Sequence, residues 1–278
     1  MIVYLAAVLP FVIYVNQRGF PLTSNNLAFM AGEFAVSLQD SKIRGFHAGL
    51  NHFFPFLDHT RVTAELKGIE KSTPSSPTTP FTLQMLVAFA YFVRMTFGMP
   101  QMTGILCAFD GLMRSIELLK VRAIDVILRN NTTVRQTSIR LGTTKNNREQ
   151  VVFLPPNSLA ERALFRLLRA THSRYGPLFE IGSYRELYDM IIKFKERFAI
   201  LIHLTPHSLR AGGATNMRAA GHTFMQILEQ GRWECIKSCK QYIDVIFNLM
   251  PETIALHERI HPTMPRALEG FLFPRTPV

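Results

Sequence analysis

The chain has 278 residues, with 31 Lys and Arg against 20 Asp and Glu, a formal net charge of +11 and a sequence pI near 9.9. That length suits two modest domains, and the positive balance points to a polyanionic partner, nucleic acid before acidic membrane. Three cysteines, Cys107, Cys235 and Cys239, make neither a disulfide framework nor a zinc set, which argues against a disulfide-stapled secreted domain and for a reducing compartment.

The opening MIVYLAAVLPFVIYV is apolar, but it has no basic leader, carries Pro10, and is interrupted by Asn16, Gln17 and Arg18 before about 20 apolar residues accumulate. It is expected to be a buried first helix, with neither a signal peptide nor a membrane span. Apolar residues then recur three and four apart in LAFMAGEFAVSL and GFHAGLNHFFPFL, so residues 1–70 are expected to form a helical bundle. KSTPSSPTTP replaces that periodicity with Ser, Thr and Pro, which marks residues 71–80 as a linker.

Residues 81–278 form the expected second domain, mainly α with a small antiparallel β-sheet, so that the whole chain is an α+β protein. FTLQMLVAFAYFVRMTFG and TGILCAFDGLMRSIELL are helical segments separated by Gly98-Met99-Pro100. IDVILR, TSIRLG and QVVFLP are short, β-branched and roughly alternating, with turn-like residues between them; they predict a three-stranded antiparallel ribbon. Helical periodicity returns at Ser158 and persists almost to the end.

Within the helical region, TPHSLRAGG places Thr205 as an N-cap and Pro206 at the first helical position, with His207 in the first turn and Arg210 one turn later. Residues three apart share a helix face, and an arginine beside unpaired helix N–H groups suits a phosphate. Taken alone, His207 could be a cap and Arg210 half of an ion pair, because short motifs recur by chance. Arg114 is expected on a helix with Glu117 on the same face, and Lys145 in the turn TTKNN between two strands. Singly these read as surface ion-pair and turn residues, and Trp233 and Tyr242 as core aromatics.

As an ordered set, Arg114 with Glu117, Lys145, His207 with Arg210, Trp233 after Gly231, and Tyr242 resemble the tyrosine recombinases, or phage-type integrases, and among them the eukaryotic mobile-element branch. The gaps agree with that pattern: Trp233 lies 23 positions after Arg210, and Tyr242 nine positions after Trp233. The resemblance implies a helical core-binding domain over residues 1–70 that clamps DNA, and a catalytic domain over 81–278. It also implies strand cleavage and rejoining through a covalent 3′-phosphotyrosyl intermediate, with no metal and no cofactor. Tyr242 is then the nucleophile. Arg114 and Arg210 hold the scissile phosphate, His207 accepts the tyrosine proton, Lys145 protonates the leaving 5′-oxygen, Trp233 offers its indole N–H, and Glu117 orients a neighbour.

The partners implied are double-stranded DNA and further copies of the chain assembled on it, in the nucleus of a eukaryotic host or otherwise in the cytoplasm, away from membranes. The segment from Phe247 to His261 is expected to form one more helix, docked either on a neighbouring protomer or in cis. Competing readings are a catalytically silent DNA-binding protein derived from such a recombinase, a type IB topoisomerase, and a zinc protease using HERIH at His257 to His261. The last pattern is short, and Pro262 follows the second histidine directly.

Overall fold

The computed structural model describes residues 2–19, 21–38, 40–72, 79–130, 133–143, 149–171, 173–244 and 250–259. The chain divides into two compact units, Met1–Ser76 and Pro77–Val278.

The first unit contains α1 (Ile2–Arg18), α2 (Ser24–Val36), α3 (Asp40–Phe53) and α4 (Thr60–Ser72). Its core gathers Val8, Phe11 and Val15 from α1 with Met30 and Phe34 from α2, Phe46 and Leu50 from α3, and Leu66 from α4. Phe11, Phe34 and Phe46 form an aromatic knot with ring centroids 5.2–5.5 Å apart. The expectation of a buried first helix holds for one face only. Val8, Phe11 and Val15 point inward, whereas Leu5, Leu9 and Ile13, four apart along the other side, are about half exposed. Pro10 lies on that exposed side, where the Ala6 carbonyl that loses its helical partner can be met by water.

The second unit begins with α5 (Leu83–Thr96) and α6 (Met99–Asp110), followed by the single turn α7 (Ser115–Leu118) and a 3-10 turn (Ala123–Asp125). Thr82 caps α5 by accepting from the Met85 N–H, and Phe81, Phe89 and Phe194 stack beneath it. The segment from Thr103 to Leu119, helical in its periodicity, is broken. Gly111 lies so close to Val152 and to the Cys107 carbonyl that a Cβ there would collide with both. Leu112 then adopts a left-handed conformation (φ 47°) that ends α6.

The expected ribbon is present as β1 (Val126–Ile127), β2 (Ser138–Thr143) and β3 (Glu149–Phe153), antiparallel in the order β1-β2-β3, with Ile139 paired to Val126 on one side and Val152 on the other. Ile139 and Val152 face the core. The remaining helices are α8 (Leu159–Ala170), α9 (Tyr184–Arg197), α10 (Pro206–Ala219), α11 (Phe224–Gly231), α12 (Ile236–Lys240) and α13 (Pro251–Arg259). In α13, Leu256 joins the core of its own chain and His257 Nε2 lies 2.8 Å from Thr82 Oγ1, so this helix packs in cis. Among the described residues no helix is long and apolar enough to cross a membrane.

The small residues Ala211-Gly212-Gly213-Ala214 explain how α10 reaches the middle of this unit. A Cβ on Gly212 would strike the Phe81 backbone, and one on Gly213 would strike the Phe109 carbonyl and the Leu112 side chain. Overpacking of this kind typically costs about 1–3 kcal/mol. Gly213→Ala is therefore expected to lower the stability of the second unit by about that amount; denaturant unfolding that shows no loss would remove the close-approach argument.

Candidate active site

Three chain segments meet at the inner face of α10. The first is α10 itself. Thr205 is its N-cap and Pro206 opens it, while Ser208 Oγ returns to accept the Thr205 N–H at 3.0 Å. The capped start is as expected, but His207 and Arg210 do not share an environment. His207 faces outward near Tyr184, with ring centroids 6.4 Å apart, while Arg210 is only 2% exposed. The difference arises because the turn after Arg210 is buried against α6, so the arginine points into the protein and the histidine stays at its rim.

The Arg210 guanidinium is held from several sides. It donates to the backbone carbonyls of Leu112 and Gly231. Its carbon lies 4.3 Å from the centroid of the Trp233 ring and 5.8 Å from that of Tyr242, and cation–π attraction adds to the hydrogen bonds. The indole and phenol rings are themselves in contact, 5.2 Å between centroids.

The second segment is the turn after α6. Arg114 is the N-cap of α7, not a residue within a longer helix, because the backbone reverses at Gly111 and Leu112. Glu117, three residues on, accepts the Arg114 backbone N–H at 2.8 Å and its guanidinium at 2.6 Å. The pairing expected from the sequence is therefore made, though through a capping turn instead of a helix face. Glu117 is buried, whereas about a third of the Arg114 side chain is open to solvent.

The third segment is Gly231-Arg232-Trp233 with the stretch to Tyr242. Gly231 ends α11, and Trp233 folds back over it so closely that any side chain there would occupy the space of the indole. Arg232 takes a left-handed conformation (φ 57°, ψ 41°) as the C-cap. Gln230 clips α11 to its surroundings by donating to the carbonyls of Asp110 and Phe153. Tyr242 follows the short α12, and Thr215 on α10 holds this stretch by donating to the Tyr242 carbonyl and accepting the Asp244 N–H.

Arg232 was not among the sequence candidates. It donates to Glu117 at 2.7 Å across 115 positions of sequence, a pairing that no spacing rule reveals. Its only sequence signal is a cation wedged between the glycine and the tryptophan. Lys145 lies outside the described residues, as does His261 of HERIH. Among the described residues no group of three His, Cys, Asp or Glu side chains is arranged to hold a metal ion.

The site's electrostatics follow from burial. Desolvation, reinforced by repulsion from Arg114 and Arg232, pushes the Arg210 pKa down to about 9, which leaves it charged at neutral pH. Desolvation also lowers His207 below its ordinary 6.5, with Arg210 adding to the effect, so its imidazole is neutral and able to accept a proton at pH 7.

No family model and no curated protein sequence matches this chain. Solved structures do. A XerH site-specific recombinase bound to a palindromic difH substrate in a post-cleavage complex superposes with a TM-score of 0.64 over 86% of this chain and 74% of its own, at 15% identity. A lambda integrase dimer bound to a core site gives 0.60 over 87% and 70%, at 12% identity. The Tn1549 transposon integrase with a circular intermediate DNA gives 0.55 over 86% and 95%, also at 12% identity. This chain has the tyrosine-recombinase fold. Helical units with one small antiparallel sheet are common to that fold and to this chain, and the likeness at such identities is one of architecture.

Because Arg210 satisfies two carbonyls with two different nitrogens, Arg210→Lys keeps the charge but cannot reproduce the fork. An unsatisfied buried carbonyl costs about 1–3 kcal/mol, so this variant is expected to unfold at lower temperature and denaturant concentration than the parent. Equal stability would mean that the fork does not hold the site together.

Proposed function

We propose that this chain is a site-specific DNA recombinase, or integrase, that breaks and rejoins strands through a tyrosine–DNA linkage. The observation that carries the proposal is the seating of one guanidinium, Arg210, on the Trp233 ring and beside the Tyr242 ring, with Arg114 near enough to depress its pKa. Two arginines, an indole and a phenol gathered at one place, with a neutral histidine at the rim, make a set suited to a phosphodiester.

In this reading Arg114, open to solvent on one side, and Arg210, through the N–H groups not given to Leu112 and Gly231, receive the two non-bridging oxygens of the scissile phosphate. Planar forks that are charged at neutral pH match that group, and they offset the negative charge that grows as phosphorus becomes five-coordinate, a task that then needs no divalent ion. Tyr242 Oη attacks phosphorus and the bond to the 5′-oxygen breaks, leaving the DNA 3′-phosphate esterified to the tyrosine. A phenol ordinarily ionises near pH 10, so its proton needs an acceptor, and that part is assigned to His207, neutral at the rim of α10. Lys145 is assigned the proton for the departing 5′-oxygen. A 5′-hydroxyl from another strand then attacks the phosphotyrosine and releases Tyr242, so the bond energy is conserved through both steps.

The charge of +11 supports double-stranded DNA as the partner, with salt-dependent backbone contacts. The helical unit at the N-terminus is assigned the DNA clamp (residues 1–70), residues 71–80 the linker, and residues 81–278 catalysis. The complexes of the XerH recombinase and of lambda integrase with DNA support DNA as the partner, and the lambda integrase dimer supports assembly of more than one copy on it.

Two outcomes are expected. With a nicked suicide duplex carrying the chain's own target, the protein forms a covalent adduct that survives denaturation, and Tyr242→Phe forms none; an adduct that persists in the variant sinks the nucleophile assignment, and specific binding by wild type without any adduct points instead to a silent DNA-binding descendant. As for pH, a neutral His207 base loses its lone pair as it is protonated, so the cleavage rate falls as pH drops through an apparent pKa below 6.5. His207→Gln is expected to lower the rate by about 10²–10⁴-fold and to remove that acid limb; an unchanged limb assigns it to another group.

A further inference from the structure

Arg232 has no part in the chemistry assigned above, yet it is bound into the site more deeply than Arg114. We propose that Arg232 is a positioning residue that fixes the Glu117 carboxylate so that Glu117 in turn presents the Arg114 guanidinium to the phosphate. The inference rests on the recombinase reading of the same site.

Every bond of the relay is present. Glu117 Oε2 accepts from Arg232 at 2.7 Å and from the Arg114 backbone N–H at 2.8 Å, while Oε1 accepts the Arg114 guanidinium at 2.6 Å. Solvent reaches only 9% of the Arg232 side chain and 5% of that of Glu117, against 36% for Arg114. The gradient runs from a sealed anchor, through a sealed carboxylate, to a guanidinium open on one side.

The terminal Arg232 donors are committed to the protein. Besides Glu117, its terminal nitrogens face the carbonyls of Gly111, Leu112 and Gln230 at 3.3–3.4 Å, so its donors are turned inward. Its backbone holds a left-handed conformation that favours glycine, next to a glycine that does not adopt one. That conformation sends the Arg232 side chain toward the turn of residues 111–117, while Trp233 folds back over Gly231.

Charge gives the relay its purpose. Arg114, Arg210 and Arg232 repel one another, and attraction to Glu117 opposes that repulsion for both Arg210 and Arg232. A Glu117 free to swing would leave Arg114 without a fixed direction, and a guanidinium shifted by a fraction of an ångström loses its fit to a transition state. Supporting residues of this kind, best measured around metal ligands, typically change activity by about 10–100-fold when removed.

A double-mutant cycle tests the relay, using full-length wild type, Arg232→Met, Glu117→Gln and the double variant, with Arg232→Lys as the conservative change. Single-turnover cleavage of the suicide duplex at saturating protein is expected to slow by about 10–100-fold in Arg232→Met with DNA affinity unchanged. Arg232→Lys should recover part of the rate, and the double variant should be no slower than the slower single one. Rate losses that multiply in the double variant, or a loss of DNA affinity in step with the loss of rate, overturn the proposal. The same cycle is read by thermal unfolding, where the relay requires the double variant to lose less than the two single losses together, and additive losses overturn it. A wild-type protein that forms no adduct defeats the recombinase reading, and the unfolding cycle still decides whether Arg232 and Glu117 are coupled. Should Arg232→Met fail to fold, the cycle is run with Arg232→Lys in its place.

Discussion

The Arg210 guanidinium is the point on which the second unit of this protein is organised. It is almost wholly buried, and a charge in that position is tolerable only because two backbone carbonyls, an indole face and a nearby carboxylate surround it. Those two carbonyls belong to Leu112, where α6 ends, and to Gly231, where α11 ends. One side chain on α10 therefore ties together the turn that carries Arg114 and the turn that carries Trp233. Loss of either turn would leave the cation unpaired, so the geometry of the site and the packing of the unit are one constraint.

Three glycines make that constraint possible. Gly212 and Gly213 let α10 approach Phe81 and Phe109 to backbone distance, and Gly231 leaves room for the Trp233 ring. With larger residues, α10 would stand off from α6 and the guanidinium would fall short of the Leu112 carbonyl. Leu112 and Arg232, by contrast, accept left-handed backbone without being glycine, because their side chains are needed, one in the core and the other on Glu117.

Much of this was legible in the chain of letters. The cap at Thr205 and Pro206, the three-stranded ribbon, and the helical N-terminal segment follow from local rules: a side-chain oxygen or a fixed φ at a helix start, alternation in strands, and apolar recurrence at 3.6 residues. The break at Gly111 was not legible. TGILCAFDGLMRSIELL keeps helical periodicity throughout, and the close packing of Gly111 against Val152, some forty residues further on, belongs to the fold alone. The exposed stripe of α1 was hidden for a related reason: fifteen nearly unbroken apolar residues say that a helix forms, but not how many neighbours will cover it.

The sequence by itself determined the order and identity of the polar residues proposed to handle a phosphate, because residue type and capping are local properties. It also determined the basic balance, and the alternation of helix and ribbon that places the chain in the α+β class. Only the tertiary structure decided that His207 stays at the rim while Arg210 turns inward, that Arg114 caps a turn, and that Glu117 is shared between two arginines. Those depend on contacts between segments some forty to 115 positions apart, where packing and the need to satisfy a buried charge choose among conformations that local propensity leaves equal.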